Sequence, residues 1–395
     1  MFRKLKVDNF KSLVDFSVEF TPMSVIIGNN ATGKSSVLQA IDFLCGSIKE
    51  DFDIMLERRN WTADNIKSKL INSNKIHFDS NILLPSKEGK LEYDWSMVLS
   101  IYSNETDEDQ VSLLSERLVC NGTQLLVYQK GEDGFIKNED KDTNVLPRAL
   151  AIKSSALRML NRDETIDYRI KYFIDFLENS LSFEMLSPNE MRLSSRGTKE
   201  SIGMSGKNLP SFIKQMTGEQ KASFMNKLTR LFGDRISDIE VEIPGRPGWM
   251  QIVSTEKYEG KSIKISSKEM SDGMLRLLAF VAISEIKSSN ATMLLDEIEN
   301  GVNTNYAEQL LEILKEMYAE KKHQLILTTH STVFMDYIDA EDIVFLYRDN
   351  NGYTKAARLF ENEAMKAKLE YMYPGEILLN MSQKEVLDKL LASNN

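Results

Sequence analysis

The chain opens in alternation of apolar and polar positions. Leu5, Val7 and Phe10, then Leu13, Phe16, Val18 and Phe20, are apolar positions among polar ones, and this pattern predicts two strands of a hairpin. Ser24-Val25-Ile26-Ile27 is short, branched and apolar, as a buried strand should be, and Ser36 to Leu44 reads as a helix. Residues 51–70 predict a charged loop with a short helix. From Lys75 to about Lys137 a two-residue period returns in "KIHFDSNILL", "KLEYDWSMVLSIY" and "ERLVCNGTQLLVYQK". The Asn121-Gly122 pair inside the last of these is a hairpin signal. Helical spacing takes over from Pro147 to Leu181 and from Leu209 to Phe232, with the glycine- and serine-rich stretch 194–208 between them predicted to be a mobile loop. Strand character resumes at "ISDIEVEIP" and "GWMQIVSTEKYEGKSIKISS". "EDIVFLYRDNNGYTKAARL" predicts a strand, a turn and a closing strand, and the tail from 361 is helical in period. There is no internal repeat and no sustained heptad pattern.

Where the first buried strand ends, the chain reads "GNNATGKSS". Gly28, Gly33, Lys34 and Ser35 fit G-x-x-x-x-G-K-[ST], the P-loop pattern, in its required setting of strand, loop and helix. The glycines let successive N–H groups of Asn29, Asn30, Ala31, Thr32 and the following Ser36 turn toward phosphate oxygens. Lys34 places a charge between the β- and γ-phosphates, and the Ser35 hydroxyl suits Mg²⁺. The helix that follows points its positive end at the same anion.

Three later segments carry matching chemistry. In "ATMLLDEIENG", the apolar run Met293-Leu294-Leu295 ends in Asp296 and Glu297, the Walker B arrangement: Asp296 for the Mg²⁺ shell and Glu297 to polarise an attacking water. In "QLILTTHSTVF", His330 ends a core strand and can hydrogen-bond a γ-phosphate; a surface histidine is the alternative. In "KEMSDGMLRLLAFVAI", Ser271 reads as an N-cap, and the same hydroxyl with Gly273 can bind phosphate. Ser271 lies 25 residues before Asp296, and His330 lies 34 after it.

Composition narrows the class. Across 395 residues, 42% hydrophobic and 27% charged content describes a globular protein with a large core. No apolar run reaches the roughly 18 residues of a membrane span, and the N-terminal residues lack a signal-peptide core. Two cysteines, Cys45 and Cys120, and three histidines argue against a disulfide scaffold or a metal cluster. These features predict a cytoplasmic location. The net charge of −10 disfavours nonspecific DNA binding. Its acidic stretches at 103–110 and 131–143 predict solvated hairpin tips.

The order P-loop, Ser-x-Gly helix, Walker B with glutamate, then histidine resembles the ABC-type ATPases, and most of all the AAA relatives of SMC, RecF and OLD proteins. "LKVDNFKSL", "GNNATGKSS", "MSDGMLRLLAF", "LLDEIENG" and "TTHST" carry the resemblance. It implies an α/β P-loop NTPase with the ABC-ATPase head, an N-terminal antiparallel β layer and a helical signature lobe. It divides the chain into a P-loop half with the hairpin layer (1–146), a helical lobe with the signature helix (147–282), a Walker B and switch-histidine half (283–360) and a helical tail (361–395). It also implies that ATP and Mg²⁺ are bound, with Glu297 and His330 catalytic, and that Ser271 and Gly273 reach the nucleotide of a second subunit in a homodimer or higher oligomer. Lys11 matches a basic residue that helps hold phosphates in some relatives, and Glu299-Asn300-Gly301 matches the D-loop. The family's Q-loop glutamine has no clear position: Gln129 follows the hairpin strands, and "AIKSSALRML" contains none.

Lys34 and Ser271 are 237 residues apart, wider than in a transporter motor, and without heptads the gap holds no coiled-coil arm. The pattern resembles compact OLD-like ATPases of prokaryotic anti-phage defence, which act beside a separate nuclease or toxin. OLD nucleases add a TOPRIM domain. Here Asp336, Asp339, Glu341, Asp342 and Asp349 follow His330, but only 65 residues remain, too few for such a domain. The resemblance thus implies an ATP-driven switch of an effector. The alternative is a RecF- or SMC-like ATP-dependent DNA clamp in repair, with "KAKLEYMY" and "RGTKESIGMSGK" as modest basic patches. A scaffold that binds ATP with little turnover is a third reading. The tail either caps the core or docks a partner.

Overall fold

In the computed structural model, residues 1–87, 89–103, 109–137, 143–146, 152–160, 166–245, 247–288 and 290–392 are described. The acidic segments 104–108 and 138–142, expected as hairpin tips, lie outside them, as do 147–151 and 161–165 of the expected helical stretch.

In chain order the first part contains β1 (Phe2–Asp8), β2 (Phe16–Glu19), β3 (Met23–Gly28), α1 (Lys34–Lys49), α2 (Phe52–Arg58) and α3 (Ala63–Ile66). There follow β4 (Lys75–Ser86), β5 (Gly89–Ser103), β6 (Asp109–Cys120), β7 (Thr123–Gln129), β8 (Gly134–Lys137), β9 (Thr143–Leu146) and α4 (Tyr168–Asn179). The second part contains β10 (Leu181–Ser182), α5 (Pro188–Met191), β11 (Ser195–Arg196), α6 (Leu209–Gln215), α7 (Gly218–Phe232), β12 (Ile236–Glu242), β13 (Trp249–Tyr258) and β14 (Lys261–Ser266). It continues with α8 (Asp272–Ser284), β15 (Thr292–Leu295), α9 (Ala307–Lys321), β16 (Gln324–Thr328), α10 (Thr332–Met335), β17 (Ile343–Arg348) and β18 (Thr354–Ala357). The tail holds α11 (Glu363–Lys366), α12 (Pro374–Leu379) and α13 (Gln383–Ala392).

Two compact units divide these elements. The first comprises Met1–Leu181, Asn290–Met293 and Asp342–Leu359; the second comprises Ser182–Ser289, Leu294–Glu341 and Phe360–Asn395. In the first unit an antiparallel sheet runs in the order β2-β1-β4-β5-β6-β7-β8-β9. Its inward positions are those the alternation marks: Phe2, Leu5 and Val7 on β1, Phe78 and Ile82 on β4, and Tyr93, Trp95 and Met97 on β5 are all buried. The sheet meets α1 through rings: Phe43 of α1 is 5.9 Å from both Phe10 and Phe78. Phe173 of α4 covers the other end, 4.9 Å from Tyr93 and edge-on to Trp95 at 5.4 Å. Asn121 and Gly122 both take positive φ, 47° and 76°, as the tight hairpin turn requires. Also in this unit, β3 and β17 run parallel, Ile27 opposite Phe345 and Gly28 opposite Leu346, and β18 pairs antiparallel with β17.

The second unit holds the helical lobe. Its helix α7 starts with a Thr217–Gln220 capping box and is tied to the end of α8 by the buried Lys227–Glu285 pair at 2.6 Å. Arg230 reaches Glu312 and Glu316 on α9. The antiparallel β12, β13 and β14 form a small sheet with β11 at its edge. The stretch 194–208, expected as a mobile loop, is anchored: Ser195 and Ser211 bond through their hydroxyls at 2.6 Å and Ile202 is buried. Two apolar residues, Ile202 and Met204, among serines and glycines make too weak a pattern to read as core. The predicted helix over Pro147–Leu181 is, in its described part, a 3₁₀ turn at Ala156–Met159 followed by α4. The chain is thus an α/β P-loop fold with an N-terminal antiparallel β layer and a helical lobe.

Candidate nucleotide site

In the first unit the P-loop leaves the buried strand β3 and enters α1. Gly28 and Gly33 adopt φ of 145° and 103°, and Ala31 is left-handed at 62°. Space demands glycine as firmly as conformation does. A Cβ on Gly28 would lie 2.4 Å from the Leu346 carbonyl oxygen, and one on Gly33 would lie 2.6 Å from both Ser12 Oγ and Thr354 Oγ1. Asn29, Asn30 and Ala31 are exposed, Thr32 and Lys34 are buried, and Ser35 and Ser36 are half-buried at the start of the helix. The first-turn N–H groups of α1 have no intrahelical acceptors, which makes this end suited to an anion.

Lys34 folds back over the loop, its Nζ donating to the carbonyls of Gly28 (3.0 Å) and Asn29 (2.9 Å). Thr32 Oγ1 closes the turn onto the Asn29 carbonyl at 2.9 Å. Three residues not singled out in the sequence hold the loop from outside. Thr354 Oγ1 donates to the Thr32 carbonyl (2.8 Å) and to Ser12 Oγ (3.1 Å). Arg348 donates through Nε and Nη2 to the Ala31 carbonyl and through Nη1 to that of Gly352. Ser12 and Thr354 therefore set the space that Gly33 fills. No local pattern marks them, because they meet the loop only through the tertiary fold. Lys11, left-handed at φ 51°, directs its ammonium to Gln39 Oε1 (2.7 Å) and over the Trp61 ring, 3.3 Å from its centroid. Gln129 stands at the exposed end of β7.

In the second unit, Leu295 ends β15 and the chain turns at once through Asp296 and Glu297. Thr328, the last residue of β16, joins the two acids: its hydroxyl donates to Asp296 Oδ1 and accepts the Glu297 N–H at 2.9 Å. Glu297 is left-handed, φ 48°, a conformation that costs a non-glycine residue on the order of 1–3 kcal/mol and marks a constrained site. Its carboxylate is exposed and accepts from Asn300 Nδ2 at 3.3 Å. Glu299 in turn accepts the His330 N–H at 2.5 Å, so the turns after β15 and β16 are bonded at both Thr328 and His330. The His330 side chain is exposed.

Ser271 caps α8, accepting the Met274 N–H at 3.3 Å, and remains exposed. Arg192 braces the helix start by bonding the Met270 carbonyl and Asp272. Gly273 has a packing role that the sequence did not disclose. A Cβ there would lie 2.4 Å from the Gly301 carbonyl oxygen, so the start of α8 and the Glu299-Asn300-Gly301 turn pass backbone against backbone. Burial pushes the half-buried Arg276 guanidinium below its usual range, while Glu297 and Asp272 nearby pull it back. The second unit thus gathers Ser271, Gly273, Asp296, Glu297 and His330 onto interlocked turns, and the first presents the P-loop.

Residues 129–336 match the family described as "AAA domain, putative AbiEii toxin, Type IV TA system", and residues 1–196 match the AAA ATPase domain. A stretch of 48 residues is 38% identical to an OLD nuclease of Thermus scotoductus, spanning 12% of this chain and 9% of that protein. Among solved structures, an SMC head bound to the C-winged helix domain of ScpA covers 90% of this chain and 96% of its own at 16% identity and a TM-score of 0.49. The SMC head domain from Thermotoga maritima covers 90% and 98% at 15% identity and a TM-score of 0.45. With more than half of its length in the 129–336 match, the chain belongs to the AAA-domain family.

Proposed function

We propose that this chain binds and hydrolyses ATP with Mg²⁺, dimerises around the nucleotide, and acts in the cytoplasm as a switch for a separate effector protein in prokaryotic anti-phage defence. The observation that carries the reading is the phosphate cradle: two glycines that admit no Cβ, a left-handed Ala31, and a buried lysine that donates to two loop carbonyls it can exchange for phosphate oxygens. In this reading the N–H groups from Asn29 to Ser36 hold the phosphates. Lys34 neutralises them, and Lys11 assists. Ser35 and Asp296 would hold Mg²⁺, which supplies charge neutralisation at the phosphates. A single carboxylate and a hydroxyl suit an ion that takes most of its remaining shell from water and phosphate. Glu297, fixed by Thr328, orients the attacking water, and His330 reads the γ-phosphate. Ser271 and Gly273 complete the site of a second subunit, so ATP favours the closed dimer and hydrolysis releases it.

The test is light scattering of purified Glu297→Gln with and without MgATP, beside Lys34→Ala and Ser271→Arg. The expected result is an ATP-driven dimer of Glu297→Gln, no nucleotide binding by Lys34→Ala, and no dimer when Ser271→Arg is added. Turnover left intact in Glu297→Gln, or a monomer at every ATP concentration, sinks the reading.

A further inference from the structure

Trp61 is a large ring left half-buried just after the charged run Glu57-Arg58-Arg59, whereas Trp95 of the β layer is enclosed in the core. Two cations lie over it, the Lys11 ammonium 3.3 Å from the ring centroid and the Arg59 guanidinium at 4.7 Å. They are held differently. Arg59 is buried and paired with Asp42 of α1. Lys11 is half-buried and donates to a neutral amide, Gln39 Oε1, at 2.7 Å. Main-chain bonds place the two segments: the Lys11 N–H donates to the Ile66 carbonyl and the Trp61 N–H to that of Leu56, each at 2.9 Å.

The ring's position gives it a use. Helix α1 begins at the P-loop lysine, and from Lys34 to Ile48 only Ser35, Ser36 and Gln39 are not buried. Ser35 and Gln39 are four residues apart, so they share a face and stand about 6 Å apart along the axis. A strip of open surface therefore leads from the phosphate-binding turn to Gln39. From Gln39 the Lys11 ammonium continues it to the Trp61 ring, all within the first unit. A nucleotide presents its parts in the same order: phosphates, ribose, base.

We propose that Trp61 is the platform on which the base of the nucleotide stacks, and that Lys11 guards it: the ammonium that lies over the ring leaves it for the phosphates as they bind. The inference rests on the nucleotide reading above and adds to it the residue that selects for a base. The exchange has a clear driving force. An aromatic ring attracts a cation only through its quadrupole, whereas a polyphosphate offers the same cation full negative charge. The move is short, since Gln39 is one helical turn from Ser35. A base without phosphates gives Lys11 no better partner than the ring, so stacking becomes conditional on the phosphates. Once the ring is free, base and indole meet face to face, a contact that tolerates any base because each has a π surface.

The experiment is calorimetry on the full chain in Mg²⁺, titrating ATP, inorganic tripolyphosphate and adenosine into the wild type, Trp61→Leu, Trp61→Phe and Lys11→Met. Trp61→Leu is expected to weaken ATP roughly tenfold or more while leaving tripolyphosphate unchanged. Trp61→Phe, which keeps an aromatic face, should retain most of the ATP affinity. Lys11→Met should move the two parts of the ligand in opposite directions, weakening ATP and tripolyphosphate severalfold and strengthening adenosine severalfold. Equal losses of ATP and tripolyphosphate in Trp61→Leu would make the tryptophan a support of the fold and overturn the proposal. An ATP affinity indifferent to Trp61→Leu would overturn it too. Adenosine bound no better by Lys11→Met would overturn the exchange. A wild type that binds neither ATP nor tripolyphosphate would defeat the nucleotide reading and this inference with it. The Trp61 results, in a chain that binds tripolyphosphate, defeat this inference alone.

Discussion

Glu116 is a carboxylate in the wrong solvent, and its removal should change how stability depends on pH. It is buried on β6, where Oε1 accepts from Trp95 Nε1 (2.8 Å) and Ser155 Oγ (2.6 Å), and Oε2 accepts from the Ala156 N–H (2.6 Å). Burial raises its pKa from 4.5 to about 7, and the three donors offset only part of that rise. The folded chain therefore holds this proton more tightly than the unfolded chain. Its stabilising contribution is complete below pH 4.5, declines as pH rises, and is lost above about pH 7. At about 1.4 kcal/mol per tenfold change in proton affinity, the loss amounts to about 3 kcal/mol. Glu116→Gln carries no proton to lose. Its amide also sets a donor against the Ala156 N–H, a cost of roughly 1–3 kcal/mol that does not vary with pH. Urea unfolding of both proteins from pH 4.5 to 8, followed by tryptophan fluorescence, should show the variant weaker at low pH and gaining on the wild type by about 3 kcal/mol toward pH 8. A difference that stays constant across the range, or moves the other way, would falsify the assignment of a raised proton affinity to Glu116.

Thr328→Val deletes the hydroxyl shared by Asp296 and the Glu297 N–H; it should cost about 1–3 kcal/mol in stability and lower ATP turnover at least tenfold, with Thr328→Ser restoring both in parallel melting and phosphate-release assays. Gly273→Ala drives a methyl group into the Gly301 carbonyl; thermal melts should show a loss of about 1–3 kcal/mol, and turnover should fall while nucleotide still binds. Arg348→Ala removes the donors that hold the Ala31 and Gly352 carbonyls, and calorimetry should report ATP affinity reduced by roughly tenfold with an unchanged circular dichroism spectrum.

What the sequence disclosed and what it withheld divide along a physical line. Local backbone requirements were legible: the P-loop glycines, the Asn121-Gly122 turn and the Ser271 cap each demand a residue type at a fixed offset, and the structure has all three. The β layer was legible because one face of each strand is core, so burial writes a two-residue period. The contacts that hold the site were not. Thr354 and Thr328 are small polar residues at strand ends, indistinguishable in the chain from any surface threonine. Gly273 could be read as a phosphate ligand, but not as the place where a distant carbonyl passes. Tyr371, Tyr373 and Leu379 belong to a tail whose apolar residues could equally have been core; their exposure is set by the tertiary fold and leaves no mark on the chain.

The grip of Arg348 and Thr354 on the phosphate loop has a consequence for biogenesis. Their partners Ala31 and Thr32 lie 317 and 322 residues earlier in the chain. During synthesis at roughly 5–20 residues per second, the loop therefore waits on the order of half a minute before its braces emerge from the ribosome. Strand β3 also waits for β17, its parallel neighbour in the first unit. A nascent chain carries the nucleotide motif long before it carries a finished cradle. Capture of ATP thus becomes a late event, reserved for molecules whose distant segments have already come together.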